Sequence, residues 1–498
     1  MRRVAVGTAV LMGGKVGGRG LQFVKQLLMA RLLGKELLGT YAYLWSFILL
    51  FAMFAHLGLP NGVIRFASRY RSVKDGRGAG ATIMKGLLAG LLSSTIFTII
   101  ILICAPWIAE HVLHDTGLTS YLRLFALGLP FVALLRISVA GTRVSQRMQF
   151  GVIADEFVRG VLNLGLFVAL FLCGMWLSGA ILACILSFAG GTLVALYCLR
   201  RLYPGFSFRG LRDQGGARIS ALMRFSTATM VSAVSGNIIN RSDRLLLGYL
   251  RTTAEVGVYH AAAQIPFALT MIFNTVGVAM MPVAADLSHQ GRIGELGELF
   301  RNTTKWRLYV VLPCSIVVFI VPRELLLVVL GDQYVGGVAV LLILTVAQVI
   351  NAGTGSVGAI LLMSGRQKLW LVLTVIMMLI NVGLNFMLIP RLGMIGAAIT
   401  VAVTMTGLYG VALFLLYRET GIKTYDARYW KGIAAGAVAV AAALPVRWFL
   451  PGPEWLLVVC VAAVVALAFA GTIMALKLDA DDRQFIQALT DRLKRKRK

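Results

Sequence analysis

The sequence predicts an all-α integral membrane protein with about fourteen transmembrane helices. Three observations predict it: a strongly apolar composition, apolar runs of bilayer-spanning length, and positive charge on every second loop. Of the 498 residues, 58% are hydrophobic and only 14% charged, with a mean hydropathy of +0.82. Soluble domains keep roughly 25% charged residues, so this balance falls outside their range. No stretch reads as a separate soluble domain, and no linker rich in Pro or Ser divides the chain.

The apolar windows fall at about 7–33, 39–64, 81–107, 118–140, 157–175, 177–199 and 221–249. They continue at about 254–284, 307–330, 336–362, 369–389, 394–417, 431–450 and 454–476. The start, Met1-Arg2-Arg3 followed by Val4 to Met12, has the outline of a signal peptide. Gly13, Gly14 and Lys15 follow without a small-residue cleavage site, so an uncleaved first span is expected.

A net charge of +27 would suit a nucleic-acid partner only if the basic residues shared one polar domain. They do not. Arg69, Arg71, Lys74 and Arg77 share one loop, Arg143 and Arg147 another, and Arg200, Arg201, Arg209, Arg212 and Arg218 a third. The same set continues through Arg292, Arg301 and Lys305, then Arg366 and Lys368, then Arg418, Lys423 and Arg428. Opposite loops hold little beyond Lys35, Arg251 and Arg391. The asymmetry predicts a multi-pass protein of the cytoplasmic (inner) membrane with both termini in the cytoplasm. The polar tail, 477–498, ends in Arg492-Leu493-Lys494-Arg495-Lys496-Arg497-Lys498, which fits a helix held on anionic lipid or, on pattern alone, a nuclear address. The six cysteines all lie in apolar segments with no CxxC pair and are expected to be buried thiols.

Two halves of the chain resemble each other at an offset of about 214–218 residues. Arg31-Leu32-Leu33-Gly34 and Gly39-Thr40-Tyr41 match Arg244-Leu245-Leu246-Leu247-Gly248 and Gly257-Val258-Tyr259. Asn163-Leu164-Gly165-Leu166 matches Asn381-Val382-Gly383-Leu384, and Gly179-Ala180 matches Gly396-Ala397. The offset covers six helices, an even number, so the repeat is parallel. The expected domains are an N-lobe over 1–220, a C-lobe over 221–418, two further helices over 419–476 and the basic tail over 477–498. Such repeats suit alternating access to a site near the membrane midplane.

Charges inside the first and seventh spans are the candidate site. Lys15, Arg19, Gln22 and Gln26 fall within roughly 60° of one another on a helix, with Lys25 flanking. A cation facing lipid at mid-span costs about 3 kcal/mol, so these residues are expected to face a wet interior. Gly13-Gly14 and Gly17-Gly18 have small-xxx-small spacing, which permits close helix contact on another side. In the seventh span Asn237, Asn240, Arg241 and Arg244 share an arc of roughly 100°, with Asp243 beside it. The competing reading is an Arg241–Asp243 pair that locks helices together. His56 and His260 sit inside spans, where they either carry protons or pack as hydrogen-bonded core residues. Arg65, Arg136 and Arg159 lie near span ends and are expected to snorkel.

The early helix ending Arg31-Leu32-Leu33-Gly34, then Gly39-Thr40-Tyr41, then Leu57-Gly58-Leu59-Pro60, resembles the polysaccharide transporter family. So does Pro390-Arg391-Leu392-Gly393-Met394-Ile395-Gly396-Ala397-Ala398. This is the Wzx-like oligosaccharide flippase group of the multidrug/oligosaccharidyl-lipid/polysaccharide superfamily. The resemblance covers nearly the whole chain. It implies flipping of a polyprenyl-pyrophosphate-linked oligosaccharide between leaflets for cell-surface polysaccharide synthesis, through a cavity lined by basic residues. Arg19, Lys25, Arg241 and Arg244 are the positions that would serve there, with Gln22, Asn237 and Asn240 beside them. Glycosyltransferases and a polymerase of the same pathway are the implied protein partners, and membrane lipid the surroundings.

No Walker-type GxxxxGK[ST] loop is present, so no nucleotide cofactor is expected and transport would be secondary, coupled to a proton or sodium ion with Asp243 the first candidate. A multidrug exporter of the same superfamily would place carboxylates in its cavity, whereas the charges within these spans are mostly basic. A membrane glycosyltransferase or polymerase would need catalytic carboxylates. The longest outer loop, Ala109 to Gly117, offers only Glu110, His111, His114 and Asp115. A scaffold would have no need of paired cationic stripes.

Overall fold

The computed structural model describes residues 2–73, 75–145, 147–203, 206, 216–239, 241–363, 366–422, 424–426, 429–450 and 452–476. Among them the chain forms nineteen α-helices and no strand. In chain order these are α1 (Arg2–Ala55), α2 (Leu59–Ser72), α3 (Gly76–His111), α4 (Thr119–Ala126), α5 (Leu129–Val144), α6 (Met148–Val152), α7 (Arg159–Leu172), α8 (Trp176–Leu202), α9 (Ile219–Ile239) and α10 (Ser242–Leu250). They continue as α11 (Thr253–His289), α12 (Ile293–Ile320), α13 (Pro322–Val329), α14 (Val338–Gly353), α15 (Val357–Met363), α16 (Gln367–Leu392), α17 (Met394–Thr420), α18 (Tyr429–Phe449) and α19 (Glu454–Ala475).

Ten helical stretches among the described residues are long and apolar enough to cross a membrane. The first, Gly17–Ser72, holds two expected spans, because α1 breaks at Gly34, where φ is 75° and ψ 172°. Only glycine adopts that backbone freely. The expected segments 157–175, 221–249 and 254–284 are helical but not among the ten, so the number fourteen stays an expectation. Outward faces are apolar: Ile103 is 73% and Leu467 74% exposed. Such faces would drive aggregation in water and are at ease in hydrocarbon.

The described residues divide into two compact units, one within 2–264 and 374–401 and the other within 265–373 and 402–476. This division follows contacts, whereas the expected lobes follow sequence similarity. In the first unit a core of Leu59, Val63, Ile83, Ile137, Leu199 and Leu222 joins α2, α3, α5, α8 and α9. Helix α6 runs into α7 through a π-helical segment, Ile153–Val158. The first helix packs hard against this segment. A Cβ on Gly18 would stand 2.4 Å from the Glu156 carbonyl oxygen, and one on Gly14 2.9 Å from the Val152 side chain. The small-xxx-small spacing is used here for close approach.

In the second unit, Ala435, Ala439 and Ala443 form a stripe on α18 that packs with Val461, Val465 and Phe469 of α19 and Ile316 and Ile320 of α12. The break between α14 and α15 leaves the Gly355 carbonyl to Arg307 of α12, which also holds a side chain of α14. Its Nη1 donates to Gly355 O at 2.9 Å and its Nη2 to Asn351 Oδ1 at 3.2 Å. Irregular backbone survives inside a membrane only when such groups are satisfied. One expectation is corrected: Cys184 and Cys198 are buried, but Cys173 and Cys314 are exposed. A thiol is apolar enough to face lipid, so an apolar segment does not imply an inward side chain.

Candidate functional site

The site is set by a helix crossing. A Cβ on Gly39 of α1 would lie 1.7 Å from Thr253 O, and one on Gly257 of α11 would lie 1.8 Å from Lys35 O. The two contacts are equivalent, because the repeat offset that relates Gly39 to Gly257 also relates Lys35 to Thr253. Corresponding parts of the two sequence halves therefore meet backbone to backbone, and side chains near the crossing come together in pairs.

On the first-half side, Lys25 is 4% exposed. Its Nζ donates to Tyr41 Oη at 3.1 Å and stands 4.9 Å from the centre of the Tyr41 ring. On the second-half side, Asp243 is 1% exposed. Its Oδ2 accepts from Tyr259 Oη at 2.7 Å, and its Oδ1 from the Arg244 backbone N–H at 2.8 Å. The Arg244 Nη1 lies 3.8 Å from the same oxygen. Asp243 holds its place as an acidic residue in the first turn of α10, where the helix dipole favours negative charge.

His260 joins the halves. Arg244 Nε donates to His260 Nδ1 at 3.1 Å, so Nδ1 is an acceptor. The ring proton then belongs on Nε2, which lies 3.3 Å from Gln26 Oε1 and 3.2 Å from Gln264 Nε2. Gln26 and Arg244, which grip the ring from two sides, are related by that same repeat offset. Of the nearby cations Arg244 touches His260 directly, Lys25 precedes the Gln26 that meets the ring, and Arg241 stands at the start of α10. A second polar group adjoins: Ser242 Oγ donates to Asn381 Oδ1 at 2.5 Å, and Asn385 Nδ2 donates to the same oxygen at 3.1 Å. The Asn385 Oδ1 is buried with no partner among the described residues.

The structure thus links Asp243 through Arg244 to His260 and buries Lys25 one residue from the Gln26 that meets the same ring. It places Arg19 elsewhere, with Nε 3.8 Å from Glu156 Oε1 on the π-helical segment. Gln22 Nε2 is buried with no partner among the described residues, and Asn237 is half-buried. Asn240 and the Lys15 side chain lie outside the described residues. Arg159 does not snorkel: its Nε donates to Asp155 Oδ1 and Asp155 O, both at 2.9 Å, and its guanidinium lies over the Phe188 ring at 4.9 Å.

Sequence reasoning missed Tyr41, Tyr259, Asp155 and Glu156. A usable signal existed for the tyrosines, since each follows its charged partner by 16 residues, at the same repeat offset. For the acids there was none, because a π turn leaves no pattern in composition.

A polytopic helical membrane protein with a buried, charged network where its repeats cross is a transporter rather than an enzyme. The sequence model of a family described as polysaccharide biosynthesis protein matches residues 4–288, and one described as MatE matches 228–387. The first spans more than half the chain, and the protein belongs to that polysaccharide biosynthesis family. Relatives in sequence include one named as a flippase and an uncharacterized membrane protein of Methanocaldococcus jannaschii, 20% identical over 446 residues, 86% of each chain. The probable low-salt glycan biosynthesis flippase Agl15 of Haloferax volcanii is 23% identical over 403 residues, 78% of each chain. Among solved structures, the lipid II flippase MurJ in an inward closed conformation aligns with a TM-score of 0.70 at 13% identity, over 93% of this chain and 98% of that one. A multidrug resistance MATE family transporter of the MOP superfamily, inward-facing, aligns with a TM-score of 0.67 at 18% identity, over 82% and 96%. The fold is that of this superfamily.

Proposed function

We propose that the protein flips a polyprenyl-pyrophosphate-linked oligosaccharide from the inner to the outer leaflet of the cytoplasmic membrane by alternating access, for cell-surface polysaccharide synthesis. The observation that carries this reading is the excess of cations at the repeat crossing. Arg244 donates to His260, Lys25 is buried beside Tyr41, Arg241 stands at the start of α10, and Asp243 is the acidic member of that group among the described residues. Burying unbalanced positive charge in a membrane is expensive unless an anion arrives to share it. A pyrophosphate is such an anion, and guanidinium and ammonium groups are its natural partners. The hydrated glycan needs a protected route because it cannot cross about 30 Å of hydrocarbon alone.

On this reading the lobes over 1–220 and 221–418 are the moving parts, both termini are cytoplasmic, and glycosyltransferases and a polymerase of the same pathway supply and use the glycan. Asp243 is the proposed seat of the coupling ion, a proton or sodium ion, with Arg19, Gln22, Asn237, Asn240 and Arg241 along the path of the substrate. A second reading, a multidrug exporter, is favoured by the MatE match over 228–387. The sign of the buried charge opposes it, since cationic drugs would be repelled.

The test is reconstitution into liposomes with two substrates, a fluorescent lipid-linked oligosaccharide and a cationic dye. Movement of the lipid-linked glycan supports the proposal. Movement of the dye alone would overturn it in favour of the exporter.

A further inference from the structure

Arg19 has a carboxylate beside it that the transport reading does not use. Glu156 Oε1 lies 3.8 Å from Arg19 Nε, and the two side chains are 17% and 32% exposed. Backbone packing places this carboxylate. Gly18 lies flush against the Glu156 carbonyl, and a Cβ on Gly160 would come within 3.3 Å of Gly18 O. The helix between Ile153 and Val158 is wound as a π turn, a device that redirects side chains and recurs at functional sites. Glu156 would therefore stand at the height of Arg19 even without attraction between them.

The neighbouring pair shows what a fixed link looks like here. Asp155 meets Arg159 at 2.9 Å, and Arg159 Nε also donates to the Asp155 backbone carbonyl, both groups largely buried. The Arg19–Glu156 pair is longer, and its cation is a third exposed. A contact of that length is held by charge more than by a directed hydrogen bond, and an incoming anion can displace it.

We infer that Glu156 is a positioning residue that competes with the substrate's pyrophosphate for Arg19, holding the cation while the site is empty and weakening the bound state so that release stays fast. This rests on the flippase reading and deepens it. A transport site must bind well enough to load and weakly enough to unload. A built-in competitor achieves that by lowering affinity without removing the cation that recognises the anion. The recognised class is an anionic pyrophosphate head.

The test uses the full-length protein and two readouts. Binding of farnesyl pyrophosphate is measured by calorimetry in detergent, and flipping of a fluorescent lipid-linked oligosaccharide is measured in liposomes. Glu156→Gln is expected to tighten farnesyl pyrophosphate binding and lower the KM for flipping about three- to tenfold, with turnover reduced. Glu156→Asp should stay near wild type. In an Arg19→Gln background the Glu156→Gln gain should vanish, because the two residues act as one unit. A merely structural pair would lower stability and turnover without tightening binding. Unchanged or weaker binding in Glu156→Gln, with Arg19→Gln impaired, would overturn the inference. Tighter binding of farnesyl pyrophosphate in Glu156→Gln without any flipping by wild type would uphold Glu156 as a competitor and instead sink the transport reading.

Discussion

Lys25 with Tyr41 and Asp243 with Tyr259 occupy the same places in the two repeats, yet their charges are opposite. In each pair the charged residue precedes its tyrosine by 16 residues, and one repeat offset carries the first pair onto the second. The tyrosine hydroxyl accepts from an ammonium in one half and donates to a carboxylate in the other. A phenol can do either, so the backbone could be kept while the ionisable group changed sign. The glycines at the crossing had no such freedom, since a Cβ on either would come 1.7 or 1.8 Å from an opposing carbonyl oxygen. Geometry is shared between the halves, and chemistry is divided between them.

The largest expected effect comes from breaking the shared geometry. Gly39→Ala would drive its methyl into Thr253 O, costing on the order of 3 kcal/mol or more and leaving little monodisperse protein after mild heating in detergent. Gly17→Ala, which meets nothing within 4 Å, should be indistinguishable from wild type in the same assay.

Next in size is the loss of a cation from one side. Arg244→Gln should reduce flipping on the order of a hundredfold. Arg244→Lys should recover only part of it, because an ammonium keeps the charge but not the planar fork that reaches both Asp243 and His260. Asp243→Asn is expected to leave glycan-lipid binding intact while flipping loses its dependence on an ion gradient. Flipping that stays gradient-dependent in this variant would remove Asp243 as the coupling site.

The tyrosines give a smaller and more pointed contrast. Tyr259→Phe leaves a buried carboxylate short of a donor, costing about 1–3 kcal/mol of stability in a thermal melt. Tyr41→Phe should cost less, about 1 kcal/mol, since Lys25 keeps the ring face beneath it. The smallest effect belongs to Arg366→Ala, whose exposed partner Glu419 lies 3.2 Å away and whose removal should change stability by no more than about 0.5 kcal/mol.

The membrane fold was plain in the sequence because bilayer thickness demands long apolar runs whatever the detailed packing. The sequence match between the halves also marked Gly39 and Gly257, where a Cβ would meet opposing backbone in equivalent contacts. The site was only partly so. Helical spacing put Gln26 in the polar stripe with Arg19 and left Lys25 on its flank, yet Gln26 and Lys25 reach the network at the crossing while Arg19 turns to Glu156. Periodicity on one helix says which residues share a face. It cannot say which other helix comes to meet that face, and Glu156 arrives from far downstream in the chain on a π turn. Tyr259 entered the sequence reading only as a residue matched between the repeats, and it is the donor to Asp243.

On the proposed function, cations contributed by both halves hold one anionic lipid-linked glycan. Initial flipping rates of a fluorescent polyprenyl-pyrophosphate oligosaccharide in liposomes test it, comparing wild type, Lys25→Gln, Arg244→Gln and the double variant at equal protein incorporation. Each single variant should be strongly slowed, and the double variant should be no faster than the worse of the two. Rates equal to wild type in both single variants would contradict the account.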